Sequence, residues 1–181
     1  CLLSRGLGDV YKRQLIIDPV IEKTNEYLNI LKNLELKLVK VIDTHIHADH
    51  VSALNELNKK TKCTRIMGDK SPSEVIDIRV KDNEKINIEN IELTSIYTPG
   101  HTKCSYSFLM KDRIFTGDTL LINGTGRTDF QGGSAKDQYN SIFNVLLKLP
   151  EETIVYPAHD YNGKKSSTIF NEKKNNPRLQ V

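Results

Sequence analysis

The sequence predicts an αββα sandwich, two β-sheets face to face with helices on both outer sides, in the mixed α/β (α+β) class. Three observations carry this. Strand-like and helix-like runs interleave along the chain. Several strands come as hairpins, which argues for mixed sheets rather than one parallel sheet. The 181 residues, 38 % hydrophobic and 27 % charged, suit a single domain with a sizeable core.

In chain order, Leu15-Ile-Ile-Asp18 reads as a strand stopped by Asp18-Pro19. Residues 20–34 follow as a helix, with Val20, Tyr27, Leu28, Leu31 and Leu34 at helical spacing. A buried strand is predicted over about 36–43 from Leu36, Leu38, Val39, Val41 and Ile42. Val51, Leu54 and Leu57 give the next helix one apolar stripe, with Asp49 placed to serve as its N-cap. Thr64 to Met67 reads as a short strand, and residues 70–82 give no clear pattern. Two alternating runs over 85–98 predict a hairpin turning at Glu89-Asn90; a second spans 105–116 around Lys111-Asp112. After a glycine-rich loop at 124–133, Ser134 with Asp137 forms a capping box. It opens a helix carrying Tyr139, Ile142, Phe143 and Leu146 on one face and ending at Leu149-Pro150. A last strand at about 153–156 and a basic helix from about 166 close the chain.

The net charge of +3 is small and the lysines are scattered, which disfavours nucleic acid as a partner. Lys59-Lys60-Thr61-Lys62, the densest run, falls where a helix end suits positive charge. Three cysteines without a CxxC make neither a disulfide framework nor a zinc knuckle and fit a reducing, cytoplasmic setting. No apolar run approaches the roughly 20 residues that a membrane span needs. Residues 1–14 carry two of the seven arginines in a chain that otherwise prefers lysine, and read as a non-native leader before a domain at 15–181.

The chemistry concentrates at strand ends. Thr44 to His50 reads T-H-I-H-A-D-H directly after the predicted strand at 36–43, and His45 and His47 face one side of an extended loop. The remaining histidines, His101 in T-P-G-H-T and His159 in Y-P-A-H-D-Y, each follow a short apolar run, as does Asp118 in T-G-D-T. Imidazole and carboxylate are ligands for zinc and non-haem iron, and four strand ends delivering them point to a metal centre. Gly100 and Gly117 beside two of them permit tight turns.

At these motifs the chain resembles the metallo-β-lactamase superfamily, whose signature H-x-H-x-D-H, then His, Asp and His, is filled by His45, His47, Asp49, His50, His101, Asp118 and His159. G-R-T-D-F-Q-G-G (126–133), Y-P-A-H-D-Y (156–161) and N-N-P-R-L (175–179) resemble its persulfide dioxygenase group more than the related glyoxalase II. The resemblance implies one Fe(II) on His45, His101 and Asp118, a two-histidine, one-carboxylate face with positions left for O2 and substrate. His47, Asp49, His50 and His159 then orient those ligands or are the remnant of a second metal position. Glyoxalase II would use all seven around two zinc ions to hydrolyse S-acyl-glutathione thioesters.

The resemblance further implies that Arg127 and Tyr161 anchor the tail of glutathione persulfide, with Tyr161 also counted among the catalytic residues. An ion pair with Asp129 is the other reading of Arg127, and plain packing that of Tyr161. Cys104 reads as a small buried residue. The expected partners are the thiol and O2, with a homodimer as the candidate assembly. The family carries a strand or two before the position of Leu15 and a further segment after that of Leu179, so the resemblance implies a sandwich truncated at both ends.

Overall fold

The computed structural model describes residues 12–159, 161 and 163–180. Residues 1–11 of the expected leader lie outside them. The first sheet takes β1 (Arg13–Ile17), β2 (Lys37–Ile42), β3 (Thr64–Gly68) and β4 (Ile78–Val80) in that order, all parallel. A 3₁₀ turn at Ile21–Lys23 and α1 (Thr24–Asn33) connect β1 to β2; α2 (Leu54–Thr61) connects β2 to β3. The unpatterned stretch at 70–82 supplies β4, an edge strand of three residues, two of them exposed. So short a run carries no readable period, which is why sequence left it unplaced.

The second sheet is mixed. β5 (Lys85–Ile88), β6 (Ile91–Tyr97), β7 (Tyr106–Leu109) and β8 (Arg113–Gly117) form the two predicted hairpins, antiparallel throughout. Glu89, at the first turn, takes the left-handed φ of 51°. Two-residue strands β9 (Leu120–Leu121) and β10 (Gly124–Thr125) make a separate small hairpin. α3 (Ala135–Tyr139) continues through π-helical turns to Val145 and a 3₁₀ turn to Lys148. β11 (Ile154–Pro157) then pairs parallel with β8, and β12 (Ser167–Thr168) with β11, before α4 (Ile169–Asn175).

Three apolar layers result. Tyr27, Leu31, Leu54 and Leu57 seat α1 and α2 on Ile16, Leu38 and Val41 of the first sheet. Ile42, Ile66, Leu93, Tyr106 and Phe108 fill the space between the sheets. Ile142, Leu146 and Ile169 cover the outer face of the second sheet at Ile114 and Val155. That order is the αββα sandwich.

Three expectations are corrected. Val51 is not on the buried stripe of α2, which begins at Leu54, and is 61 % exposed. Asp49 does not cap α2: its N-cap is Ala53, and the Asp49 carboxylate is drawn instead to His50 and His159. Tyr139 is 51 % exposed rather than buried, because the buried apolar stripe begins only at Ile142 and continues to Leu146; it stacks on Phe143 with ring centroids 4.4 Å apart. Ser134 does cap α3, accepting from the Asp137 N–H at 3.2 Å.

Candidate metal centre

His45 and Asp118 sit just past the ends of β2 and β8, and His101 and His159 just past β6 and β11, so both sheets deliver side chains to one edge. The close approach of the two strand ends requires glycine at 117. Its φ is +52°, and a Cβ there would stand 2.5 Å from Thr44 Oγ1.

His45, His101 and Asp118 each turn one ligand atom to a common point, all within 4.8 Å of one another. Asp118 Oδ2 lies 3.9 Å from His45 Nε2 and 3.6 Å from His101 Nε2, too far for hydrogen bonds. A cation about 2.1 Å from each donor holds neighbouring donors no more than about 4.2 Å apart, so these separations fit a bound metal.

The tautomers suit the same purpose. His101 Nδ1–H donates to the Arg127 carbonyl at 2.8 Å; a carbonyl only accepts, so Nε2 keeps its lone pair toward Asp118. Thr44 Oγ1–H donates to Asp18 Oδ2 at 2.9 Å and therefore accepts from His45 Nδ1–H, also at 2.9 Å. His45 Nε2 is thus free as well. Burial, then the neighbouring His47, pushes the His45 pKa down to about 4, which keeps the ring neutral, as a metal ligand must be.

Asp18 is the functional residue that sequence reading missed, having served there only to stop a strand. Its carboxylate accepts from Thr44 N–H at 2.7 Å and His47 Nε2–H at 3.1 Å. Burial works against its charge, but the His47 hydrogen bond and charge outweigh it and hold its pKa below the ordinary value. The same contact overcomes burial to raise His47 to about 8. Asp43 beside it is pushed up to about 7, by burial and then by the Asp18 charge. The readable signal was register: Ile17 pairs with Ile42 in parallel, so Asp18 arrives at the same sheet edge as the histidine loop.

The remaining signature residues form an adjoining group. His159 spans two carboxylates, with Nδ1 2.7 Å from Asp118 Oδ1 and Nε2 2.8 Å from Asp49 Oδ2. Both ring nitrogens donate, and the Asp118 hydrogen bond above all raises the His159 pKa to about 9 despite burial. Asp49 also accepts from His50 Nδ1–H at 3.1 Å. Burial disfavours the Asp49 anion, but hydrogen bonds from His50 and His159 hold its pKa below the ordinary carboxylate range. Among the described residues His47 Nδ1 and His50 Nε2 are buried without a partner, and His47, Asp49 and His50 make a second possible ligand group.

A cavity of about 380 Å³ opens over the trio, walled by Asp49, Gly126, Arg127, Phe130, His159 and Tyr161. Arg127 pairs with Asp129 through two contacts of 2.8 and 3.0 Å, and its guanidinium lies 5.7 Å from the Phe130 ring centroid. Tyr161 is 72 % exposed and stacks on His159 with ring centroids 5.4 Å apart. Cys104 is buried beneath the histidine loop, accepting from Ile46 N–H at 3.5 Å.

The family model of the metallo-β-lactamase superfamily matches residues 12–159. The chain belongs to that superfamily. Its relatives there include the mitochondrial persulfide dioxygenase ETHE1 of Homo sapiens, 37 % identical over 185 residues, covering 100 % of this chain and 72 % of the human protein. A hydroxyacylglutathione hydrolase of Dictyostelium discoideum is 30 % identical over 91 % of this chain and 65 % of its own length. The crystal structure of ETHE1 from Myxococcus xanthus superposes with a TM-score of 0.93 at 39 % identity, covering 98 % of this chain and 77 % of that one. The superfamily's αββα architecture is the fold found here. Among the described residues no helix is long and apolar enough to cross a membrane.

Proposed function

We propose that the chain is a non-haem Fe(II) persulfide dioxygenase acting on glutathione persulfide. The observation that carries this reading is the convergence of His45 Nε2, His101 Nε2 and Asp118 Oδ2 on one point beneath an open cavity. Two imidazoles and one carboxylate are the ligand set that leaves positions on Fe(II) for O2 and substrate. The 37 % identity to a persulfide dioxygenase across the whole chain supports the same choice.

The overall change is glutathione persulfide + O2 + H2O giving glutathione, sulfite and two protons. Bound iron supplies the sites at which O2 and the outer sulfur meet and the redox capacity for their reaction. The protein's residues do the rest. Arg127 exchanges Asp129 for a carboxylate of the thiol, which its planar fork suits. Tyr161 and Phe130 flank the thiol in the cavity. His159, charged between Asp49 and Asp118, keeps Asp118 Oδ1 engaged so that Oδ2 remains the ligand oxygen. The buried free thiols of Cys63 and Cys104 fit the cytoplasmic setting expected from the cysteine count. A homodimer is the assembly expected, and light scattering reads it directly.

Anaerobic purification, metal analysis and an oxygen electrode test the reading. One iron per chain and O2 uptake on adding glutathione persulfide are expected, with at least a tenfold loss of iron in His101→Ala. Full iron and full uptake in that variant would overturn it.

A second reading, a glyoxalase II-like hydrolase of S-acyl-glutathione thioesters with two zinc ions, is favoured by one observation: His47 Nδ1 and His50 Nε2 are buried nitrogens without a hydrogen-bond partner among the described residues. Two metals per chain and thioester cleavage without O2 would select it. It requires His159 to give up its bonds to Asp49 and Asp118, which supports the one-metal reading in preference.

A further inference from the structure

We propose that Glu172 and Asn176, both on the C-terminal segment, are positioning residues that set the aim of His101 and Arg127. The inference rests on reading His101 as a metal ligand. The motif N-N-P-R-L at 175–179 has no part in the chemistry above, and no residue of it lines the metal cavity.

Asn176 is 0 % exposed and Glu172 1 %, although both are polar. The Asn176 amide donates to the Gly124 carbonyl at 3.0 Å and the Glu172 carboxylate at 2.8 Å, with the Leu121 carbonyl at 3.4 Å. Glu172 Oε2 also accepts from the Asn123 N–H at 2.9 Å. Every one of these partners belongs to the β9–β10 hairpin or to the pair itself. The hairpin has just two paired positions, Gly124 with Leu121 and Thr125 with Leu120, and Asn123 at its turn has a left-handed φ of 57°. Two strands that short do not hold a shape alone. The buried pair supplies what they lack.

The hairpin leads straight into the centre. Gly126, the next residue, packs so closely on the Asp118 carbonyl and the His101 ring that no Cβ fits there. Arg127 follows, and its carbonyl takes the His101 Nδ1–H at 2.8 Å, the contact that points Nε2 at Asp118. A continuous path therefore runs from α4 through the hairpin turn and Gly126-Arg127 to a ligand ring. Glu172 Oε1 is buried with no partner among the described residues, so the carboxylate commits its other oxygen alone to the hairpin and Asn176.

The test uses Asn176→Ala and Glu172→Gln in the full chain. Metal-free protein is titrated with cobalt(II), whose visible bands report ligand geometry, and amide exchange is followed at residues 123–127. We expect cobalt(II) affinity to fall five- to twentyfold in Asn176→Ala and two- to fivefold in Glu172→Gln. Exchange at 123–127 should quicken about tenfold while β6, β7 and β8 stay protected. Wild-type cobalt affinity in both folded variants overturns the proposal, whatever the exchange pattern, since a merely structural pair changes stability and leaves the ligand's aim alone. Should Asn176→Ala fail to fold, Glu172→Gln decides by the same criterion. Failure of the dioxygenase reading shows separately, as wild-type protein that binds cobalt(II) normally yet consumes no O2 with glutathione persulfide once loaded with Fe(II).

Discussion

Asp18 connects two histidines through three hydrogen bonds, one of them relayed by Thr44 to His45. Replacing it with asparagine keeps the shape and removes the anion that orders those donors. Outer hydrogen-bond partners of metal ligands are typically worth 10–100-fold in metal affinity, and Asp18→Asn should lose about that much in a competition titration. His159 gives a pH test on metal-free protein. Its pKa of about 9 lies above the ordinary 6.5, so the stabilisation is whole below pH 6.5 and is lost as pH rises through about 9. The thermal midpoint should fall across that window, and His159→Gln should flatten the fall. Seven ligand-type residues were readable because imidazoles and carboxylates at strand ends announce their chemistry. Asp18 was not, because an Asp-Pro pair explains itself as a turn and its partners lie 26 and 29 residues away.

Caps and periods made most elements readable. Ser134 caps α3 as expected, and Ser134→Ala should cost about 1 kcal/mol in urea unfolding, with little effect on metal content. Thr168 plays the same part for α4 by accepting from Asn171 N–H at 3.1 Å, and that helix starts at Ile169, three residues later than its basic run suggested. β12 takes the two residues before it. What failed to show was set by tertiary packing. Edge strand β4 is too short for a period, and the π-helical turns after Tyr139 follow how Ile142 and Leu146 meet the second sheet. The mixed second sheet was foreseen from its hairpins; that the first is wholly parallel was not, since local sequence does not say which strands become neighbours.

Across the whole molecule the proposed ligands tie one sheet to the other, because His45 leaves the first and His101 and Asp118 leave the second. Metal should therefore stabilise the entire fold. At a hundredfold excess over Kd the linkage is about 2.7 kcal/mol. Chelation should then lower the melting temperature by roughly 5–10 °C for a domain of this size, read by calorimetry. The layer between the sheets sets the scale of the rest. Phe108 is fully buried there, and Phe108→Ala should cost about 3–5 kcal/mol. The parallel pairing of β11 with β8 also has a consequence for synthesis on the ribosome. His159 leaves the tunnel 41 residues after Asp118, when His45 and His101 are long since out. An ion met during translation finds His47, Asp49 and His50 as well as the trio before His159 emerges, so the choice between one position and two falls to the finished edge, where His159 closes on Asp49 and Asp118.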